Sequence, residues 1–204
     1  MAEAEDESSG RTRWSRFVAV FGIGAIGAGA LMFGMSQGAL AASFAVSGSS
    51  FKVSADTLTG KGFVQFGGVD AGSGAAHAVA VNGFKTATLD KFCQSVFVPG
   101  VPLVGDVTMR ITAADVGGMA AENLVVDLTD LTGDLTLGNP QIGVDAGSLN
   151  KGPDGLKGQT GGFGLQADTA TIAGLKQTAW STTAQTIKFT GMGLTVRQGR
   201  QECF

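Results

Sequence analysis

From Phe51 onward the chain alternates between apolar and polar positions. Phe51, Val53 and Ala55 are separated by Lys52 and Ser54; Leu124, Val126 and Leu128 flank Val125 and Asp127; Ile187 and Phe189 flank Lys188. A period of two predicts half-buried strands. Asn82-Gly83, between HAVAV and FKTATL, predicts a hairpin, because both residues tolerate positive φ. Gly133-Asp134, between LTDLT and LTL, predicts a second turn, and Gly191-Met192-Gly193 a bulge. The expected body is therefore all-β: one β-rich domain over residues 42–204, a sandwich or a curled sheet.

That body repeats itself. Phe51 to Thr57 reads F-x-V-x-A-D-T, and Phe163 to Thr169, 112 residues later, reads F-x-L-x-A-D-T. Gly62-Phe63 follows the first copy and Gly174-Leu175 the second, and Ala121 to Leu124 is a fainter middle echo. This predicts a duplicated strand unit or successive rungs of one curled sheet. Between the copies, GPDGLKGQTGGFG places glycine at every third position from Gly152 to Gly164. Four triplets with one proline are too few for a collagen helix, so a flexible surface loop is expected.

The pattern changes upstream. Residues 1–16 form a polar tail ending in Arg11, Arg13 and Arg16, and Phe17 to Met35 is 19 residues without a charge. As a helix this run spans ~28 Å, close to the hydrocarbon thickness of a bilayer. The arginines put the preceding side in the cytoplasm and the β domain outside. Residues 17–41 thus read as one transmembrane or signal helix. Ala30, Gly34 and Gly38 form a small-residue stripe suited to helix packing. Ala39 and Ala41 frame a small-x-small pattern at which a signal peptidase cuts. Two outcomes stay open: a single-pass anchor, or secretion after cleavage following Ala41.

Composition narrows the chemistry. The 33 glycines and absent tyrosine suit turns and short strands, and a net charge of −3 offers no field for nucleic acid. In an exported chain the two cysteines, Cys93 and Cys203, predict a disulfide closing a loop of about 110 residues. No G-x-S-x-G elbow occurs, and His77 is the only histidine, so neither a serine hydrolase nor a His/Cys metal site is readable. Asp145, Asn150 and Asp154 lack the spacing of a calcium loop. Asp56 and Asp168 occupy matched places in the repeat; as a pair they suggest acid–base work, but turn hydrogen bonding is the expected role. No cofactor is expected.

RTRW before a Gly/Ala-rich span, AASFAVSGSSFKVSADTLTGKGF, KFCQSVFVPG, KGPDGLKGQTGGFGLQADTATIAGLKQTAWSTTA and a terminal ECF together resemble an uncharacterised family of about 200-residue proteins from Streptomyces and related actinobacteria. The resemblance covers nearly the whole chain and implies a membrane-associated, cell-surface setting. Some members carry the label cholesterol esterase, which the missing elbow and lone histidine do not support. The leading expectation is a non-enzymatic envelope protein, tethered by its helix, whose outer domain contacts itself or a membrane-protein partner. The second is a binder of a lipid or other apolar molecule, with Phe51, Phe63, Phe66, Phe163 and Trp180 lining the groove. An esterase-type hydrolase is the third.

Overall fold

The computed structural model describes residues 49–71, 76–113 and 115–204. The polar tail, the apolar segment at 17–41, its stripe at Ala30, Gly34 and Gly38, and the Ala39–Ala41 pattern lie outside the described residues. No helix among the described residues is long and apolar enough to cross a membrane.

Among the described residues the body is all-β, a single antiparallel sheet of nine strands. Four strands carry it: β1 (Phe51–Ala71), β2 (Ala76–Asp90), β5 (Met119–Gly138) and β7 (Phe163–Thr183). β1 pairs β2, β2 pairs β5, β5 pairs β7 and β7 returns to β1, so the sheet curls round and closes. The other strands prolong these four. β3 (Phe92–Val101) continues β2 along the same edge of β1, and β6 (Gln141–Asp145) continues β5 along β7. β8 (Thr186–Phe189) continues β7 along β5, while β4 (Gly105–Ala113) and β9 (Met192–Gln198) pair with one another beyond β3.

Four flat strands cannot enclose a core; these are bent by interruptions in the ladder. Pairing between β1 and β7 skips Asp56 with Gly174, and Gly62 with Asp168. Gly62 (φ 65°), Gly174 (φ 64°), Lys91 (φ 48°) and Asn139 (φ 51°) are left-handed. Such irregularities bend a strand and tighten its twist. They also flip the inward phase: in β1 the core takes Phe51, Val53 and Ala55, then Leu58, then Phe63. The repeat explains itself here. Its two copies pair antiparallel with each other, so a local twofold axis sets each copy's aspartate opposite the other copy's glycine.

Three sequence expectations change. Asn82-Gly83 makes no hairpin, and β2 runs straight through it. Gly83 is needed for space, since a Cβ there would run into Leu156 and approach Val64 to 2.9 Å. Gly133-Asp134 likewise lies inside β5, at a register irregularity. The glycine-triplet segment is a surface loop, but one packed against the sheet: Leu156 joins a second core on the outer face, where Leu149, just before the segment and 1 % exposed, meets Val64, Phe66, Val79 and Val81. Gly152 and Gly158 are close approaches to Val64 and Phe66, whereas Gly155 (φ 76°) and Gly161 (φ 81°) are left-handed turns between them. Alternating approach and turn is what a three-residue glycine period does here. The third change is at Gly191 (φ 61°), which separates β8 from β9; these pair with β5 and β4 respectively, so Gly191-Met192-Gly193 marks a break between two strands and not a bulge within one.

Cys93 and Cys203 are joined, with Cα atoms 5.9 Å apart. The bridge fixes a C-terminal strap across the outside of the sheet. Cys203 N donates to Ser95 Oγ (3.0 Å), Gln201 N to Thr108 Oγ1 (3.0 Å), and Thr108 Oγ1 to the Gly199 carbonyl (2.7 Å). Lys52 Nζ donates to Glu202 Oε2 (3.2 Å) and to the Phe204 carbonyl (3.0 Å).

Candidate functional site

The inward face of the curled sheet does not fill completely. An apolar cavity of about 70 Å³ remains between the four long strands. Register builds it. Gln65 on β1 sits beside Asn82 on β2, Asn82 beside Val126 on β5, and Val126 beside Thr182 on β7. All four line the cavity. A second set crosses the other way: Gln94 on β3, Val53 on β1, Gln177 on β7 and Leu131 on β5, again all lining it. Between these polar sets lie Leu58, Phe63, Phe84, Leu124 and Ile172. Phe63 and Phe84 meet with ring centroids 4.9 Å apart. Gly60 leaves the room the Phe84 ring occupies. Leu135 and Ile187, each about half exposed, stand at the rim.

No Asp, Glu, Lys, Arg or His is among the described lining residues. The site has hydrogen-bonding capacity without acid or base. Asn82 is 3 % exposed, and its Oδ1 has no hydrogen-bond partner among the described residues. A buried structural amide in the same sheet looks different. Gln166 Oε1 accepts from Asn150 N (2.9 Å) and Lys151 N (3.1 Å), and its Nε2 donates to Gln141 Oε1 (2.6 Å).

Of the five aromatics read from the sequence, Phe63 lines the cavity. Phe51 is buried in the same core, while Phe66 lies under the glycine-triplet segment, an outer strap distinct from the C-terminal one. Phe163 is 64 % exposed. Trp180 packs on the outer core and stacks on His77, centroids 3.6 Å apart. Sequence reasoning missed the amides. Gln65 and Gln177 are repeat partners, 112 residues apart, two positions beyond the matched Gly62-Phe63 and Gly174-Leu175. Extending the echo that far was the available signal.

The remaining candidates do structural work. Asp56 pairs with Lys91 (2.7 Å) and Asp168 with Lys151 (2.7 Å). Asp56 lies six residues along β1 from Gly62, the residue opposite Asp168, so about 20 Å separates the two aspartates. Carboxylates that cleave glycosides stand at most ~10 Å apart. Hydrogen bonds from Lys151 and then Asn139 hold the Asp168 carboxyl below the ordinary range, and the bond to Asp56 raises Lys91. Asp145 Oδ1 accepts from Gly147 N and Gly161 N, organising the start of the strap. No group of three or more metal-type ligands occurs among the described residues.

Asp127, on the outer face, is the half-buried exception. Burial pushes its carboxyl above the ordinary value, the Ser181 hydroxyl (2.6 Å) partly offsets this, and the charge of Asp70 adds to it. The folded protein therefore holds this proton more tightly than the unfolded chain. Ionised Asp127 weakens the fold above its raised pKa, and that penalty fades as pH falls to the ordinary carboxylate value. Asp127→Asn is expected to raise the urea midpoint at pH 7, with the gain shrinking to nothing in acid. Equal midpoints at pH 7 would contradict it.

A family model described as a family of unknown function, DUF6230, matches residues 47–204. No curated protein and no solved structure matches the chain.

Proposed function

The chain belongs to the DUF6230 family, whose function is unknown, and on that footing we propose that it is a non-enzymatic binder of a small, neutral, apolar molecule, working outside the cell membrane. The observation that carries this reading is the lining: hydrocarbon and aromatic rings edged by uncharged amides, with no ionisable group among the described residues. A charged ligand entering it loses hydration that nothing in the lining replaces. Hydrolysis of an ester needs a nucleophile and a base within hydrogen-bond reach of each other, and this lining offers the Thr182 hydroxyl with no base among the described residues beside it. The Cys93–Cys203 disulfide supports an oxidising, exported setting. The arginines ahead of the apolar run support the outer side, with the membrane a partner through that run, as tether or as cleaved signal.

Size limits the occupant. An apolar cavity of ~150 Å³ takes up benzene, and the enclosed space here is about 70 Å³. The enclosed part therefore holds less than a benzene ring, and a longer occupant such as a linear alcohol extends out of it at the rim, past Leu135 or past Ile187. A two-chain lipid does not fit within the enclosed part. Native mass spectrometry of the non-reduced protein, taken gently from its own host, tests this reading. The expected result is one neutral, solvent-extractable molecule per chain, absent from Val126→Phe, which fills the cavity while keeping the disulfide. Protein that is empty, and that takes up no apolar probe, would sink the reading.

A second reading rests on β9. Met192, Leu194 and Val196 are exposed on one face of a strand that pairs only with β4 among the described residues. An apolar edge of this kind favours contact with a second copy or a membrane protein. Leu194→Lys is then expected to shift an assembly to monomer by light scattering, and a wild-type protein already monomeric at high concentration removes this reading.

A further inference from the structure

We infer that the cavity recognises a neutral apolar molecule through a hydroxyl group, and that Asn82 is the residue that receives it. The inference rests on the interior-binding reading and gives its ligand a chemical class. Three observations carry it. Asn82 lines the cavity, is 3 % exposed, and leaves Oδ1 without a partner among the described residues. A buried, unpartnered carbonyl gives up its hydrogen bonds to water with no replacement, and the fold gains nothing structural in return. An aliphatic side chain at position 82 would fill the inward register as Val126, its neighbour on β5, does. The same sheet shows that it can satisfy a buried amide when the amide is structural, since Gln166 makes three hydrogen bonds. The orphan therefore reads as a place kept for a ligand atom.

The missing partner is a donor, and it must be uncharged. An ammonium would enter a lining with no counter-charge. A carboxylate brings only acceptors to a carbonyl. A hydroxyl both donates and accepts, so it serves an amide in either orientation. Gln65 is the register neighbour of Asn82, and Thr182 lies two strands away in the same set. Both line the same cavity. The apolar remainder of the molecule then lies toward Phe63, Phe84 and Leu124.

The test uses a matched pair of probes on the full-length, disulfide-bonded protein: 1-hexanol, and methyl pentyl ether, its isomer without the O–H. Calorimetric titration is run on wild type and on Asn82→Leu. Expected is an about five- to tenfold preference of wild type for the alcohol, the worth of one hydrogen bond, and no preference in Asn82→Leu. Removing an orphaned amide for an apolar side chain of like size is close to neutral for folding, and the wild-type comparison stands by itself should the variant misfold. If wild type binds alcohol and ether equally, the hydroxyl inference fails while interior binding survives. If Asn82→Leu keeps the preference, Asn82 is not the receiver. If wild type binds neither probe near their aqueous solubility limits, the interior-binding reading fails and this inference with it.

Discussion

Cys93→Ser with Cys203→Ser is expected to lower the free energy of unfolding by about 4–5 kcal/mol, the loop-entropy value for a bridge spanning 110 residues. A domain of this size has about 5–15 kcal/mol in all, so the loss takes a large share. The entropy term is not the whole of it. Ser95 and Thr108 are essentially fully buried beneath the C-terminal strap, and their hydroxyls take hydrogen bonds from Cys203 N and Gln201 N. Once the strap lifts, both hydroxyls lose these partners, and the Lys52 contacts with Glu202 and Phe204 go too. Urea denaturation of wild type with and without reductant, beside the double variant, measures this. Reduced wild type and the variant should coincide, well below the oxidised protein. Equal midpoints for oxidised and reduced wild type would show that the bridge contributes nothing.

How much of this was readable beforehand divides along one physical line. Local alternation was legible: Phe51, Val53 and Ala55 face inward as their period predicts. The disulfide was legible because two cysteines admit one pairing. The echo of F-x-V-x-A-D-T was legible as a repeat, but its meaning, two copies paired about a local twofold, needed the register. Where the sequence misled, the same residue type had two physical uses. Asn82-Gly83 has the chemistry of a turn, yet Gly83 clears space for Leu156 and Asn82 faces the cavity. The inward set of β1 changes phase at Asp56 and again at Gly62, and each change moves later side chains to the opposite face. Gln65 and Gln177 could not be assigned to the interior until those bends were placed. The lining aromatics failed for the same reason: Phe63 and Phe66 lie three residues apart on β1 and belong to different cores.

The glycine-triplet segment, with Leu149 three residues before it, yields the second large effect, because its packing was the least expected feature. Leu149→Ala is expected to cost about 2–5 kcal/mol, since Leu149 is among the most completely buried side chains in the protein and seals the outer core. Gly152→Val should cost about 1–3 kcal/mol by overpacking, because its side chain would enter the space of Val64, which is 0 % exposed. Gly155→Ala is the control. Its position is open, with no atom within 4 Å of where the alanine methyl would stand, and only its φ of 76° resists substitution. A left-handed residue with a Cβ costs about 1–2 kcal/mol. A loose loop from Gly152 onward would tolerate Gly152→Val with a change below about 0.5 kcal/mol. Chemical denaturation of the three variants therefore separates a packed strap from a loose loop. The cavity lies on the far side of the same strands, which gives the series a second use. Val64 and Phe66 alternate with Phe63 and Gln65 along β1, so pressing the strap away from Val64 shifts the strand that carries the cavity wall. Gly152→Val should then weaken 1-hexanol binding as well as stability, whereas Gly155→Ala should leave binding unchanged.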